Sequence, residues 1–366
     1  EGVWYRNQSE VNKTSSGWKN INDNRQRVIH FCDDYKATNN KLLITQSYIY
    51  VSTRLPLDEY DKYKNKVMEA INISGYQKNN NNYTKDDVNI TIVEYDIHPR
   101  QREKINNYKT IDVTFSTNDS INDVFFKKTW NLHVKGIREK EKRGNPTYVY
   151  SVDEVKKYFP AQVEMGCGPS IEAGIPPLYY LHEVYKVQRH NDGTFYFGED
   201  DDFLVELISN PMKKYAESSF MIQSCVKAKK TVFYDFLQEM YEKGYFIGKL
   251  LNNNFDRIPT RYGIEEQQLR VYEYENYLPK IEFDPKAKAL FCIGTHADRR
   301  KIQKQARENN LQIIYVDLEG FETEDGFEPY PIEGAREGDI VFKMSTSDFA
   351  LLMKKDFLNN NKELVK

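Results

Sequence analysis

Three consecutive stretches near the carboxyl end constrain the fold most. KALFCIG (Lys288–Gly294) has the apolar pattern of a buried strand, ADRRKIQKQARENN (Ala297–Asn310) reads as a helix, and LQIIYVDLE (Leu311–Glu319) as a second strand. Strand, helix and strand with short joints form a βαβ unit, which requires a parallel sheet. DIVFKM (Asp339–Met344) adds a strand and SDFALLMKKDFL (Ser347–Leu358) a closing helix. Upstream, VDEVKKYFPAQ reads as a helix capped by Ser151, and TVFYDFLQEMYEKG (Thr231–Gly244) as an amphipathic helix stopped by Gly244. YFIGKLL (Tyr245–Leu251) reads as a buried strand. Residues 146–366 are therefore expected to form an α/β, doubly wound parallel sheet, whose ligands bind beyond the carboxyl ends of the strands.

The first 145 residues have another texture, rich in Asn, Lys and Tyr. KLLITQSYIYVS (Lys41–Ser52), VNITIVEYDI (Val88–Ile97), IDVTFS (Ile111–Ser116) and FFKKTWNLHVKG (Phe125–Gly136) read as strands. Leu57–Ile73 reads as a helix with Tyr60, Tyr63, Val67, Ala70 and Ile71 near one face. This is a small α+β domain, ending in the charged, turn-rich GIREKEKRGNP (Gly136–Pro146). A length of 366 residues suits two domains, and 39% hydrophobic residues argue against bulk disorder.

Charge gives no argument for nucleic acid as a partner. Lys and Arg number 52 against 55 Asp and Glu, so there is no basic excess of the kind nucleic acid selects. No apolar run reaches the ~20 residues that span a bilayer, so no membrane partner is expected. The opening EGVWYRNQSE lacks a signal-peptide pattern, and the four cysteines (Cys32, Cys167, Cys225, Cys292) show no paired zinc spacing. Reduced thiols, a cytoplasmic location and no metal site are the expectations.

The strongest local signal is GCGPSIEAGIPPL (Gly166–Leu178). Gly166 and Gly168 follow a short strand as G-x-G, where glycines permit a tight turn and close approach of backbone N–H groups to a pyrophosphate. The continuation through Ser170 to Gly174-Ile175-Pro176 resembles the G-A-G-x-S-x-x-S-G-I-P motif of the sirtuin (SIR2) family, its NAD-binding turn. Two further segments follow in the family's order. Asn253-Asn254-Phe255-Asp256 resembles the Q-N-I-D motif, and CIGTHADRRKIQKQARENNLQIIYVDLE resembles its last nucleotide-binding segment. The resemblance spans about Val152 to Leu358 and implies a Rossmann-like, sirtuin-type fold.

It also implies roles. NAD, or an ADP-ribose-type nucleotide, would be held by Gly166, Cys167, Gly168, Ser170, Gly174, Ile175 and Asn254, with Gly294, Thr295 and His296 under the phosphates. Asp317 would stand where the family has an Asn on the adenosine ribose; its carboxylate can accept both hydroxyls and argues against NADP. Asn254 and Asp256 would orient ribose and nicotinamide. Departures limit the activity. The family's catalytic His position is Pro259, its G-I-P-D-F-R is Gly174-Ile175-Pro176-Pro177-Leu178-Tyr179, and its zinc module is missing, since only Cys292 lies in the interval. Ordinary lysine deacetylation is not expected.

His182 and His296 are candidate replacement bases, set against the commoner structural or surface role of a lone histidine. Glu164, Glu172 and Glu183 lie near the loop and are read as ordinary acids on solvated helix or loop faces. Cys167 could be a nucleophile activated by a helix N-terminus, or a small residue filling space. Three functions remain open: a nucleotide-binding protein that cleaves the nicotinamide–ribose bond, a non-catalytic sensor, or a nucleotide-independent role in which the glycine loop is only structural. In the second, residues 1–145 would recognise a peptide or protein. Oligomeric state is open.

Overall fold

The computed structural model describes residues 18–19, 26–38, 41–96, 108–117, 126–134, 137–138, 141–177, 187–189, 195–197, 203–254, 256–269, 280–298 and 300–359. By contact the chain divides into two units. One takes Trp18–Arg138 together with Leu178–Gln223, the other Glu139–Pro177 and Ser224–Lys366, apart from short pieces before Trp18. The sequence suggests a single boundary near residue 145; Leu178–Gln223, which lies beyond it, groups with the first unit.

In the first unit β1 (Gln26–Thr38), β2 (Lys41–Pro56), β3 (Gln77–Asn79), β4 (Asn82–Lys85), β5 (Val88–Tyr95), β6 (Tyr108–Thr117) and β7 (Phe126–Val134) form one antiparallel sheet in the order β3-β4-β5-β6-β2-β1-β7. Alternation places Ile49, Val51, Thr53 and Leu55 of β2 in the core beside Ile111, Val113 and Phe115 of β6. Helix α1 (Leu57–Ile73) buries Tyr60, Val67, Ala70 and Ile71, as its 3.6-residue periodicity requires. Asp58 and Glu59 complement its N-terminal dipole, and Gly75 at φ +80° turns the chain away. Tyr60 donates to Glu94 at 2.7 Å, and the Tyr76 hydroxyl donates to the Ile208 carbonyl at 3.0 Å.

The second unit contains β8 (Thr147–Tyr148), β9 (Gln162–Met165), α2 (Gly168–Glu172), α3 (Val232–Glu242), β10 (Leu250–Asn252), α4 (Ile258–Arg261), β11 (Glu266–Gln268), β12 (Ala289–Ile293), α5 (Ile302–Glu308), β13 (Gln312–Val316), β14 (Gly320–Thr323), β15 (Gly326–Pro329), β16 (Ile340–Phe342) and α6 (Thr346–Met353). Seven strands pair in parallel in the order β8-β16-β13-β12-β9-β10-β11. Setting aside the edge strand β8 and counting from β9, this is the 3-2-1-4-5-6 order of doubly wound dinucleotide folds. The α/β, Rossmann-like architecture expected from the sequence is thus present. Strands β9, β12 and β16 are buried throughout, which explains the continuous apolar runs of β12 and β16, while β9 carries Gln162 and Glu164 into the core.

Three expected elements differ. The segment after Ser151 forms two 3-10 turns, Val152–Glu154 and Lys156–Tyr158, although the Ser151 hydroxyl does accept from the Asp153 N–H. The run is short and Pro160 cannot continue a helix. Of Tyr245–Leu251 only the last two residues enter strand β10, because Gly248 at φ +67° bends the chain. The helix expected over Ala297–Asn310 begins at Ile302, where Asp298 accepts the N–H groups of Gln303 and Lys304.

Candidate functional site

Four neighbouring strand ends lie level with one another. Gly166, just past β9, donates to the Ile293 carbonyl at 2.9 Å; Gly294, just past β12, donates to Val316 at 2.8 Å; Asp317, just past β13, donates to Phe342 at 3.1 Å; Asn253, just past β10, donates to Met165 at 3.0 Å. The order reverses between β9 and β12, so Gly166 and Gly294 flank the switch-point crevice where ligands of such sheets bind.

The glycines there are required by the protein itself. A Cβ on Gly166 would lie 2.3 Å from the Gly294 carbonyl oxygen, and one on Gly168 would lie 2.8 Å from the Gly294 Cα. Gly294 has φ +64° and no room for a side chain against Pro169 and Gly168. The Gly168 N–H donates to the Gly294 carbonyl at 3.2 Å. Close strand-to-turn packing therefore accounts for G-x-G without any ligand. Gly174 ends α2 with φ +93° and faces open space, while Ile175 is buried. Cys167 is exposed at the start of α2.

Asn254 and Asp256 are both buried and both engaged. Asn254 donates from Nδ2 to the Gly166 carbonyl at 2.5 Å and from its backbone to Asn252 Oδ1 at 2.8 Å. Asp256 accepts the Ser170 hydroxyl at 2.5 Å and the Ile258 N–H at 2.9 Å, so it caps α4. Burial holds its carboxyl above the usual aspartate range, against the hydrogen bonds from Ser170 and Ile258. Pro259 sits in the first turn of α4, where a missing N–H costs nothing. Its ring offers no proton acceptor.

Thr295 and His296 follow Gly294, and the His296 ring lies against Tyr330 with centroids 3.7 Å apart and the rings tilted by 42°. Asp317 accepts the Glu319 N–H at 2.7 Å; burial, and then the nearby Glu319 charge, push its carboxyl up to about 6. A carboxylate has acceptor capacity beyond that one bond. His182 lies outside the described residues, as do Glu183 and Tyr179.

Glu172 serves the fold: its carboxylate accepts the Thr346 N–H at 2.9 Å, the Ser347 N–H at 3.1 Å and the Ser347 hydroxyl, capping α6. Sequence reasoning passed over Tyr234 and took Glu164 for an ordinary acid. Tyr234 is fully buried, and its phenol is held neutral first by burial and then by the adjacent Asp256 charge. Glu164 is buried in the central strand; an acid inside the apolar stretch VEM was its signal. Among the described residues no group of three or more His, Cys, Asp or Glu side chains is placed to hold a metal ion, and no helix is long and apolar enough to cross a membrane.

A parallel 3-2-1-4-5-6 sheet with glycine turns at its switch point defines the second unit as a Rossmann-like α/β domain. The order of its motifs along that sheet resembles that of the sirtuin family, and Pro259 departs from it. No protein-family profile matches the sequence, and no curated protein matches it. Similar solved structures include a Sir2 bound to an acetylated peptide, with 15% identity, 56% of this chain and 98% of that chain covered, and a TM-score of 0.37. A Sir2–p53 peptide–NAD+ complex has 14% identity, covers 56% and 97%, and has a TM-score of 0.35. A mutant Sir2 homologue in complex with 2′-O-acetyl ADP ribose has 16% identity, covers 59% and 99%, and has a TM-score of 0.37.

Proposed function

We propose that the second unit binds NAD or an ADP-ribose-type nucleotide across its switch point. The supporting observation is the alignment of Asn253, Gly166, Gly294 and Asp317 at four adjacent strand ends, with Asn254 bonded to Gly166, rather than the glycines by themselves. Asp317 is suited to accept ribose hydroxyls, Thr295 beside Gly166 offers a hydroxyl at the turn, and Asn254 offers an amide. The nucleotide supplies the nicotinamide–ribose bond; the chain's contribution is to bind and orient it.

Pro259 favours binding without turnover. It removes the base expected there, and both oxygens of Asp256 are already engaged, one by Ser170 and one by Ile258. The alternative, cleavage of the nicotinamide–ribose bond by positioning, draws support from Asn254 and Asp256 standing beside the crevice. Incubation with NAD, followed by chromatography of bound nucleotide and released nicotinamide, separates the two. Stoichiometric binding without release is the expected result. Release that disappears in Asn254→Ala would replace it with an NAD-consuming enzyme. Neither binding nor release would refute both.

A further inference from the structure

Glu164 lies on the central strand two residues before Gly166, and its side chain is buried beneath α5. Its Oε1 accepts Asn253 Nδ2 at 3.0 Å and its Oε2 accepts Gln303 Nε2 at 3.2 Å, with the Cys292 thiol of the neighbouring strand as a third donor. Each partner leads outward. Asn253 precedes Asn254 and accepts Arg300 Nη1 at 2.9 Å, while Arg300 Nε donates to the Leu269 carbonyl at 3.1 Å. Gln303 stands in the first turn of α5 and accepts the Tyr315 hydroxyl at 2.9 Å.

We infer that Glu164 is a positioning residue: its ionised carboxylate ties the Asn253–Asp256 loop to the first turn of α5 and so sets the geometry of the crevice. An ionised carboxylate has acceptor sites for all three donors. Each oxygen accepts an amide N–H, so protonation of either one leaves it a poorer acceptor and loosens the tie made through it. The groups around it set when this happens. Cys292 faces it from β12 and Asp298 from the loop before α5. Arg300 reaches it through Asn253, and Tyr315 of β13 through Gln303. Arg307 of α5 is held by Asp339 at 2.6 and 2.5 Å, and Asp298 is itself flanked by Lys301 and Glu141. Burial first, and the Asp298 charge second, push the Glu164 carboxyl up to about 7, so the tie switches near neutrality.

The effect on ligand rests on the nucleotide reading above; the effect on the loop does not. Hydrogen exchange of the peptide covering residues 250–258, corrected for intrinsic rates, is therefore measured first on ligand-free protein between about pH 8 and about pH 6. Protection of this loop should fall as pH falls in the wild type. In Glu164→Gln it should be constant across that range, and in Asn253→Ala, which cuts the tie from the loop's side, it should be low throughout. Affinity for ADP-ribose, by calorimetry, should weaken about fivefold or more over the same interval in the wild type and not in Glu164→Gln. Loop protection in the wild type that ignores pH overturns the inference, whether or not either variant folds. ADP-ribose binding with a flat pH profile overturns it for the site and leaves nucleotide binding standing. Loop protection that follows pH, with no ADP-ribose binding at any pH, upholds the tie and refutes the nucleotide reading.

Discussion

A methyl group at Gly294 would stand 2.7 Å from the Pro169 Cδ and 2.8 Å from the Gly168 Cα, on a backbone at φ +64°. Overlap and the left-handed conformation both penalise Gly294→Ala, by about 2–4 kcal/mol in total. Gly174→Ala, at φ +93° but in open space, should cost only about 1 kcal/mol. Urea denaturation of the two variants tests the packing account; equal losses would refute it. Asp317 supplies a titration at the same rim. Its folded-state pKa is raised, so its contribution to stability is complete below about pH 4 and is lost as pH rises through about 6. Asp317→Asn should lack that decline, with a difference of about 1–2 kcal/mol between the pH extremes once solvent screening is allowed for. Measured unfolding free energies of wild type and variant that run parallel across this window would show that the carboxylate is not desolvated.

At the scale of elements, Glu172 shows how a turn and a distant helix depend on each other. Its carboxylate takes the place of an N-cap side chain for two N–H groups of α6, while Ser345 caps a third. Glu172→Ala should destabilise the protein by about 1 kcal/mol and raise hydrogen exchange in residues 346–353. Unchanged exchange there would assign the contact no energetic role. This long-range cap could not be read from the sequence, where Glu172 is one more acid on a short helix. Elements defined by their own periodicity were legible: α1 spans the residues its apolar spacing indicates, and β12, β13 and β16 fall within the apolar runs that announce them. Elements defined by their neighbours were not. β11 and β8 lack an apolar pattern of their own and exist because β10 and β16 present free edges to them. The Glu164 tie was illegible for the same reason, since Asn253 and Gln303 reach it only once the sheet is formed.

For the whole molecule, the nucleotide proposal makes a thermodynamic demand. Ligand at 100 times its Kd should stabilise the native state by about 2.7 kcal/mol, visible as a concentration-dependent rise in Tm. NAD and ADP-ribose should act alike and NADP less, because Asp317 would oppose a 2′-phosphate. Equal shifts with all three, or none, would remove Asp317 from recognition. The strand–helix–strand pattern in the sequence was enough to indicate the parallel sheet. It could not show that Gly166, Gly168 and Gly294 consume one another's space, which is a property of three chain segments meeting.

The strand order also has a consequence for how the chain must be made. β9 is the centre of its sheet, yet its two partners begin at residues 250 and 289, and Leu178–Gln223 intervenes in the interval as part of the other unit. During synthesis the central strand therefore leaves the ribosome with neither neighbour in existence, and it must be kept from foreign edges while more than a hundred further residues are added. A buried carboxylate in the middle of that waiting strand is a charge placed where stray β pairing would be most damaging. Glu164 thus has a second consequence, in the nascent chain, before any crevice has formed.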